Sequence, residues 1–294
     1  MATRKQWIEG ARPRTLPAAI APVLVGCSIA YYSNRFALGI ALLALVVSLA
    51  LQTGVNYSND YSDGIRGTDE NRVGPVRLIG QKLASPSEVK KAAFISYGIG
   101  ALAGLGMVAL SGYYLLLPVG LAAIVAAWFY TGGPRPYGYA GFGEVFVFVF
   151  FGLVAVIGTS ASQTGNITTL SFLAGCGCGL LSTAILVVNN LRDIPGDTEA
   201  GKRTLAVRIG DANTRGLYLA CIVVAGLLPL IMSVTGANPP KFAGLGTLGI
   251  LLAVKPFRSL MKRALGRDLI PVLADTGKLL MAYAVLLSVG IALS

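Results

Sequence analysis

Histidine is missing from all 294 residues of this sequence. Its absence removes the commonest general base near neutral pH and the usual ligand of catalytic zinc. Charge is scarce too: 13% of residues are Asp, Glu, Lys or Arg, against about 25% in an ordinary soluble domain. With 54% hydrophobic residues and a mean hydropathy of +0.69, the composition excludes a typical soluble enzyme and points to a polytopic membrane protein. Four cysteines occur, Cys27, Cys176, Cys178 and Cys221, all in apolar segments. Cys176-Gly-Cys178 lacks the spacing and flanks of a metal knuckle, so the four read as small packing residues.

What the chain does have is long apolar runs. Cutting it at runs of about 17–25 residues predicts nine helices, near 16–33, 37–58, 89–110, 113–131, 143–161, 168–190, 214–235, 242–257 and 273–293. The fold class expected is an all-α membrane bundle forming one membrane-embedded domain over 1–294. Leu24-Val25-Gly26-Cys27 resembles a lipoprotein processing box, but Pro17 and Pro22 interrupt the apolar stretch before it. Segment 16–33 therefore reads as a retained first helix. Of the 24 Lys and Arg residues, all but Arg35 and Lys241 fall at the N-terminus or in alternate loops. The positive-inside rule places those segments in the cytoplasm and the C-terminus outside. The net charge of +11 is then a topology signal, aided by anionic lipid headgroups. The lipid bilayer is the partner it implies; nucleic acid is not needed to explain it.

Two long inner loops, 64–87 and 194–213, exceed the usual length of a structureless helix connection and read as working parts. The first belongs to NDYSDGIRGTDENRVGPVR, residues 59–77, and the second to NNLRDIPGDTEAGKRTLAVRIG, residues 189–210. Asn59-x-x-x-Asp63 in one corresponds to Asn189-x-x-x-Asp193 in the other, which continues to Asp197. Each pattern closes a helix running from outside to inside. The chain thus reads as two parallel four-helix halves plus one further helix.

Residues four apart on a helix share a face, so Asn59 and Asp63 point one way, as do Asn189, Asp193 and Asp197. Stacked acids repel, and they sit where the helix dipole is already negative. A compensating cation explains the arrangement. Oxygen donors without His or Cys suit a hard ion, Mg²⁺ above all. The competing explanation is ion pairing with Arg66, Arg72, Arg192 or Lys202. Arg72, Arg77, Lys202 and Arg203 would reach the oxygens of a bound phosphate, or serve only as topology charges.

The paired Asp motifs, on the second and sixth helices, resemble those of the UbiA superfamily of intramembrane aromatic prenyltransferases. ARPRTLPAAIAPVLVG at 11–26 and YTGGPRPYGYAGFGEVFVFVFFGLVAVIGT at 130–159 are similar to its 1,4-dihydroxy-2-naphthoate branch. The superfamily's first motif often has a third Asp where this chain has Gly67; Gly67-Thr68-Asp69 stands in its place. The resemblance implies transfer of a polyprenyl group from polyprenyl diphosphate to 1,4-dihydroxy-2-naphthoate, with decarboxylation to demethylmenaquinol. It further implies two Mg²⁺ ions held among Asn59, Asp60, Asp63, Asp69, Asn189, Asp193 and Asp197, and a multi-pass protein of a bacterial cytoplasmic membrane with its site on the cytoplasmic side. Asp63, Asp193, Asp197 and Glu144 are the catalytic candidates. Asn59, Arg66, Arg72, Arg77, Tyr130, Arg135, Asn189, Lys202 and Arg203 are the substrate-binding ones.

Tyr57, Trp128, Phe129 and Tyr130 would offer π-faces to an allylic cation, or be plain interfacial aromatics. Arg135 would meet the naphthoate carboxylate and Glu144 would orient a hydroxyl or accept a proton, unless the two pair with each other. Two other readings stay open at this level: prenylation of another ring such as 4-hydroxybenzoate, and transport of a divalent cation or metabolite. Acids at one membrane face, rather than at the midplane, weigh against transport.

Overall fold

The computed structural model describes residues 2–67 and 76–294. Helix makes up 79% of the described residues, which contain no strand. Helix α1 (Arg4–Gly10) and the 3-10 turn Pro13–Thr15 make a first segment, Arg4–Thr15, bent by 53° from helix α2 (Pro17–Tyr32). Within the first segment Arg12, in the left-handed region (φ 55°), separates α1 from the 3-10 turn. There follow α3 (Leu38–Ile65), α4 (Pro86–Ser111) and α5 (Leu116–Phe129). Next come α6 (Gly143–Phe148), a π-helical turn at Val149–Val154 and α7 (Ala155–Thr164), which run on as one apolar stretch, Gly143–Thr164. The chain ends with α8 (Thr169–Glu199), α9 (Leu205–Met232), α10 (Val254–Met261) and α11 (Leu269–Ala292).

Six stretches among the described residues are long and apolar enough to cross a membrane, or seven if the bent α1–α2 pair is one span. Counting that pair as one span, two of the nine expected helices account for the difference. The run at 113–131 yields only the 14-residue α5. The run at 242–257 divides into a 3-10 helix, Ala243–Ala253, and the short α10. Packing accounts for the latter: a Cβ on Gly249 would lie 2.7 Å from the Tyr283 backbone, so this segment is pressed directly onto α11.

Local chemistry sets several helix ends. Ser85 and Glu88 form a reciprocal capping box ahead of α4, with Pro86 at its first position. Thr168 and Ser171 do the same for α8. Polar composition, by contrast, does not end a helix. α3 continues through Asn59, Asp60 and Asp63, and α8 continues past Pro195 to Glu199. The long second loop expected at 194–213 is therefore mostly helix, and residues 200–204 alone join α8 to α9. Hydropathy marks where a chain is dissolved in lipid, not where its helical hydrogen bonding stops.

α8 is the central helix: 72% of its apolar stretch lies inside the molecule, against 28% for α3. The largest core cluster joins α2, α8, α9 and α11 through side chains such as Ile29, Leu181, Tyr218 and Leu280. α3 packs along α4 and α8 along α9, so each motif-bearing helix is the first arm of a helical hairpin. In lipid such contacts rest on close van der Waals packing rather than on escape from water. Small residues make it possible: a Cβ on Gly152 would lie 2.4 Å from the Cα of Gly179 on α8.

Candidate active site

The ends of α3 and α8 open onto one cavity of about 330 Å³, within the usual range for ligand sites. Its mouth is polar, with Asn59, Asp63, Arg77, Asn189, Asp197 and Lys202 on the wall. Beyond the mouth the wall is apolar, formed by α3, α4, α5 and the stretch from Phe146 to Gly158, with Leu51, Met107, Val119, Phe150 and Val154 exposed to the space. The π turn lies in this stretch; such turns re-aim successive side chains, and Phe150, Phe151 and Val154 of this one all reach the cavity.

Asp63 is the hub of the mouth. Lys202 Nζ lies 2.9 Å from its Oδ1, both side chains buried, and Arg77 Nη2 lies 3.8 Å from Oδ2. The Tyr139 hydroxyl donates to the same carboxylate. Burial, and then the negative charge of Asp63, push the Tyr139 hydroxyl well above its ordinary pKa, so it keeps the proton it donates. Lys202 Nζ also stands 4.6 Å from the centre of the Tyr139 ring, a cation–π distance.

The second motif is arranged differently. Arg192 clamps Asp193 through two hydrogen bonds of 2.7 Å and reaches Asn189 Oδ1 at 2.8 Å. Asp197 is buried on the cavity wall, and its carbonyl accepts the Lys202 amide at 2.8 Å. Glu144 is buried behind Asn190, whose Nδ2 donates to Glu144 Oε1 at 2.8 Å. Asn190 is on the wall; Glu144 is not. Asn59 Oδ1 accepts from Thr131 Oγ1 at 2.9 Å, and Tyr130 lines the cavity in an edge-on pair with Tyr137.

Other expected site residues lie off the cavity wall. Asp60 accepts from the Leu78 and Ile79 backbone amides at 2.7 and 3.2 Å, and so anchors the chain after the first motif. Arg66 donates to the carbonyls of Thr131 and Gly133, tying that loop to the end of α3. Arg135 and Arg203 are exposed, and Arg135 does not meet Glu144. Trp128 and Tyr57 pack in the cluster beneath the mouth. Asp69 and Arg72 lie outside the described residues.

Sequence reasoning missed Tyr139, Thr131, Asn190 and the neighbourhood of Arg12. Arg12, counted only as a topology charge, lines the cavity. Gln52 and Asn56 on α3 hold the break beside it: Gln52 Nε2 donates to Thr15 Oγ1 at 2.7 Å and Asn56 Nδ2 to the Ala11 carbonyl at 2.8 Å. Both polar residues recur four apart in an apolar run, and that was the available signal.

Among the described residues no group of three or more His, Cys, Asp and Glu is arranged to hold a metal. What converges is a mixed set of oxygens, Asn59 and Asp63 from α3 with Asn189 and Asp197 from α8. Mg²⁺ usually binds through one or two carboxylates, with water and substrate phosphates completing its shell, and this donor set fits that mode. The acids do not rely on a metal alone. Lys202 and Arg77 pair with Asp63, and Arg192 with Asp193, as the ion-pair explanation anticipated for Lys202 and Arg192.

Residues 19–269 match the model of the UbiA prenyltransferase family. The 1,4-dihydroxy-2-naphthoate octaprenyltransferase of Mycobacterium tuberculosis is 52% identical over 285 residues, covering 97% of this chain and 96% of the relative. The enzyme of the same name from Escherichia coli is 37% identical, with 98% and 95% covered. Among solved structures, a UbiA homolog from Archaeoglobus fulgidus bound to GPP and Mg²⁺ superposes with a TM-score of 0.70 at 13% identity, covering 96% of this chain and 99% of that one. At that identity the likeness establishes the fold.

Proposed function

Because the chain belongs to the UbiA prenyltransferase family, we propose that it transfers a polyprenyl group from polyprenyl diphosphate to 1,4-dihydroxy-2-naphthoate. The observation that carries this reading is the meeting of Asp63 on α3 with Lys202 after α8, at the polar mouth of a cavity that is apolar behind. That polarity matches a diphosphate headed by charge and tailed by hydrocarbon. The names of the relatives at 52% and 37% identity supply the acceptor.

In this reaction the carbon–oxygen bond to the diphosphate breaks first. Lys202 and Arg77 face the leaving group, and their fixed positive charge favours the state in which its negative charge grows. Mg²⁺, two ions in our reading, would be held by Asn59, Asp63, Asn189 and Asp197 and would neutralise further diphosphate charge; the fold relative bound to GPP and Mg²⁺ supports the choice of ion. The allylic cation left behind faces Tyr130, Tyr137, Phe146 and Phe150 on the wall, whose rings offer electron-rich faces and keep water away. The ring carbon that bears the carboxylate then gives its π electrons to the cation and forms the new carbon–carbon bond. The ionised carboxylate leaves as CO₂, returning the electron pair to the ring and giving demethylmenaquinol. Glu144 acts at one remove, holding Asn190 in place on the wall. Without a histidine, catalysis rests on ionisation and positioning.

Purified protein given polyprenyl diphosphate, 1,4-dihydroxy-2-naphthoate and Mg²⁺ should release diphosphate and form a prenylated naphthol together. Chelation should stop both, and diphosphate release that ignores the chelator would remove Mg²⁺ from the scheme. Replacing the acceptor with 4-hydroxybenzoate should abolish product; equal turnover on that ring would reassign the acceptor.

A further inference from the structure

A second concave site lies away from the cavity, where the 3-10 helix Ala243–Ala253 gives way to α10. The groove there, about 380 Å³, runs between α10 and the start of α11. Lys255, Arg258 and Lys262 follow at intervals of three and four and so share one face of α10, and Lys278 faces them from α11. Asp275 holds Lys255 and Lys278 at 3.0 Å each. Among the described residues no acid pairs with Arg258 or Lys262. The groove thus carries an excess of positive charge around one buried-side acid.

Its other wall is apolar. Leu251, Leu252 and Val254 are 68%, 49% and 48% exposed, and Phe257 and Met261 continue that stripe along α10 beside the basic one. A short helix with adjacent basic and apolar stripes is built to lie at the boundary of headgroups and acyl chains. The site is also held in place. Arg215 on α9 donates to the carbonyls of Leu260 and Ala264, both at 2.9 Å, fixing the end of α10. It lies at the same end of the bundle as the motif ends, since Gly277 packs against the Arg14 backbone and Pro17.

We propose that this groove binds the phosphate headgroup of an anionic glycerophospholipid. Arg258 and Lys262 take the phosphate, and one acyl chain lies along Leu251, Leu252 and Val254. A free phosphate would have no use for the apolar wall, which is what assigns the groove to lipid. The proposal is independent of prenyl transfer.

Native mass spectrometry of the full-length protein in uncharged detergent tests it, with dioleoylphosphatidylglycerol and dioleoylphosphatidylcholine as probes. The wild type should retain the anionic lipid at least about tenfold over the zwitterionic one, and R258Q/K262Q should lose about tenfold of that preference. The charge-conserving R258K/K262R should keep it, as should R4Q/K5Q on exposed α1. Equal retention of the two lipids, an undiminished preference in R258Q/K262Q, or displacement of the anionic lipid by an equal concentration of inorganic phosphate would each overturn the assignment.

Discussion

At the end of α3, Asp63 is neutralised from the other half of the molecule, by Lys202, which lies 139 positions further along the chain. At the end of α8, Asp193 is neutralised by the residue beside it, Arg192. The sequence pattern is the same and the wiring is not. The Arg192–Asp193 pair needs only a helix, so it can form as soon as α8 does. The Lys202–Asp63 pair exists only once the two halves have docked, and it lies on the cavity wall where a phosphate would arrive. In our reading Lys202 therefore has two alternative partners, Asp63 before the donor binds and the diphosphate afterwards. Burying such a pair yields little net stability, but removing one member leaves an uncompensated charge.

The largest expected effect comes from Asp63→Ala, which strips the hub from Lys202, Arg77 and Tyr139. We expect kcat/KM for the donor to fall by about 10³-fold or more in a diphosphate-release assay, and unchanged turnover would sever the link between the hub and the chemistry. Lys202→Met should cost about 10²-fold. It should also make Mg²⁺ raise the melting temperature more than in the wild type, because Asp63 is then left without its lysine. A smaller shift than in the wild type would mean that Lys202 and the ion do not compete.

The cis pair is best probed by stability. A double-mutant cycle of Arg192→Gln with Asp193→Asn should show a coupling of about 1–3 kcal/mol, while Arg192→Gln with Asp63→Asn should be additive to within about 0.5 kcal/mol. Strong coupling between Arg192 and Asp63 would erase the contrast between the two ends. A smaller effect is expected at Glu144, which never reaches the wall. Glu144→Gln keeps an oxygen for Asn190 and should stay within about threefold of wild-type activity, whereas Glu144→Ala should lose about tenfold. Arg135→Ala should fall within about twofold, as for an exposed residue away from any special feature; a large loss would bring Arg135 to the acceptor.

Much of this was legible beforehand. Lipid-length apolar runs announce a helical membrane protein because a bilayer admits little else. Asn59, Asp63, Asn189 and Asp197 could be picked out because spacing of four on a helix is a local property. Asp60 could not be separated from Asp63 in that way. It too lies four after an asparagine, Asn56, yet Asp60 turns to the Leu78 amide and Asp63 to the cavity. Tyr139 and Arg12 carry no periodic pattern at all; each reaches the mouth through an irregular connection whose path depends on what it packs against.

The sequence by itself determined the solvent the protein lives in, its all-helical class and the two sets of oxygen donors, since hydropathy and helical period are read one turn at a time. Tertiary structure alone decided which acids face one another, that Lys202 serves Asp63 and where the apolar throat lies. Those depend on Coulomb interactions and packing between residues more than a hundred positions apart, and no local rule encodes such distances.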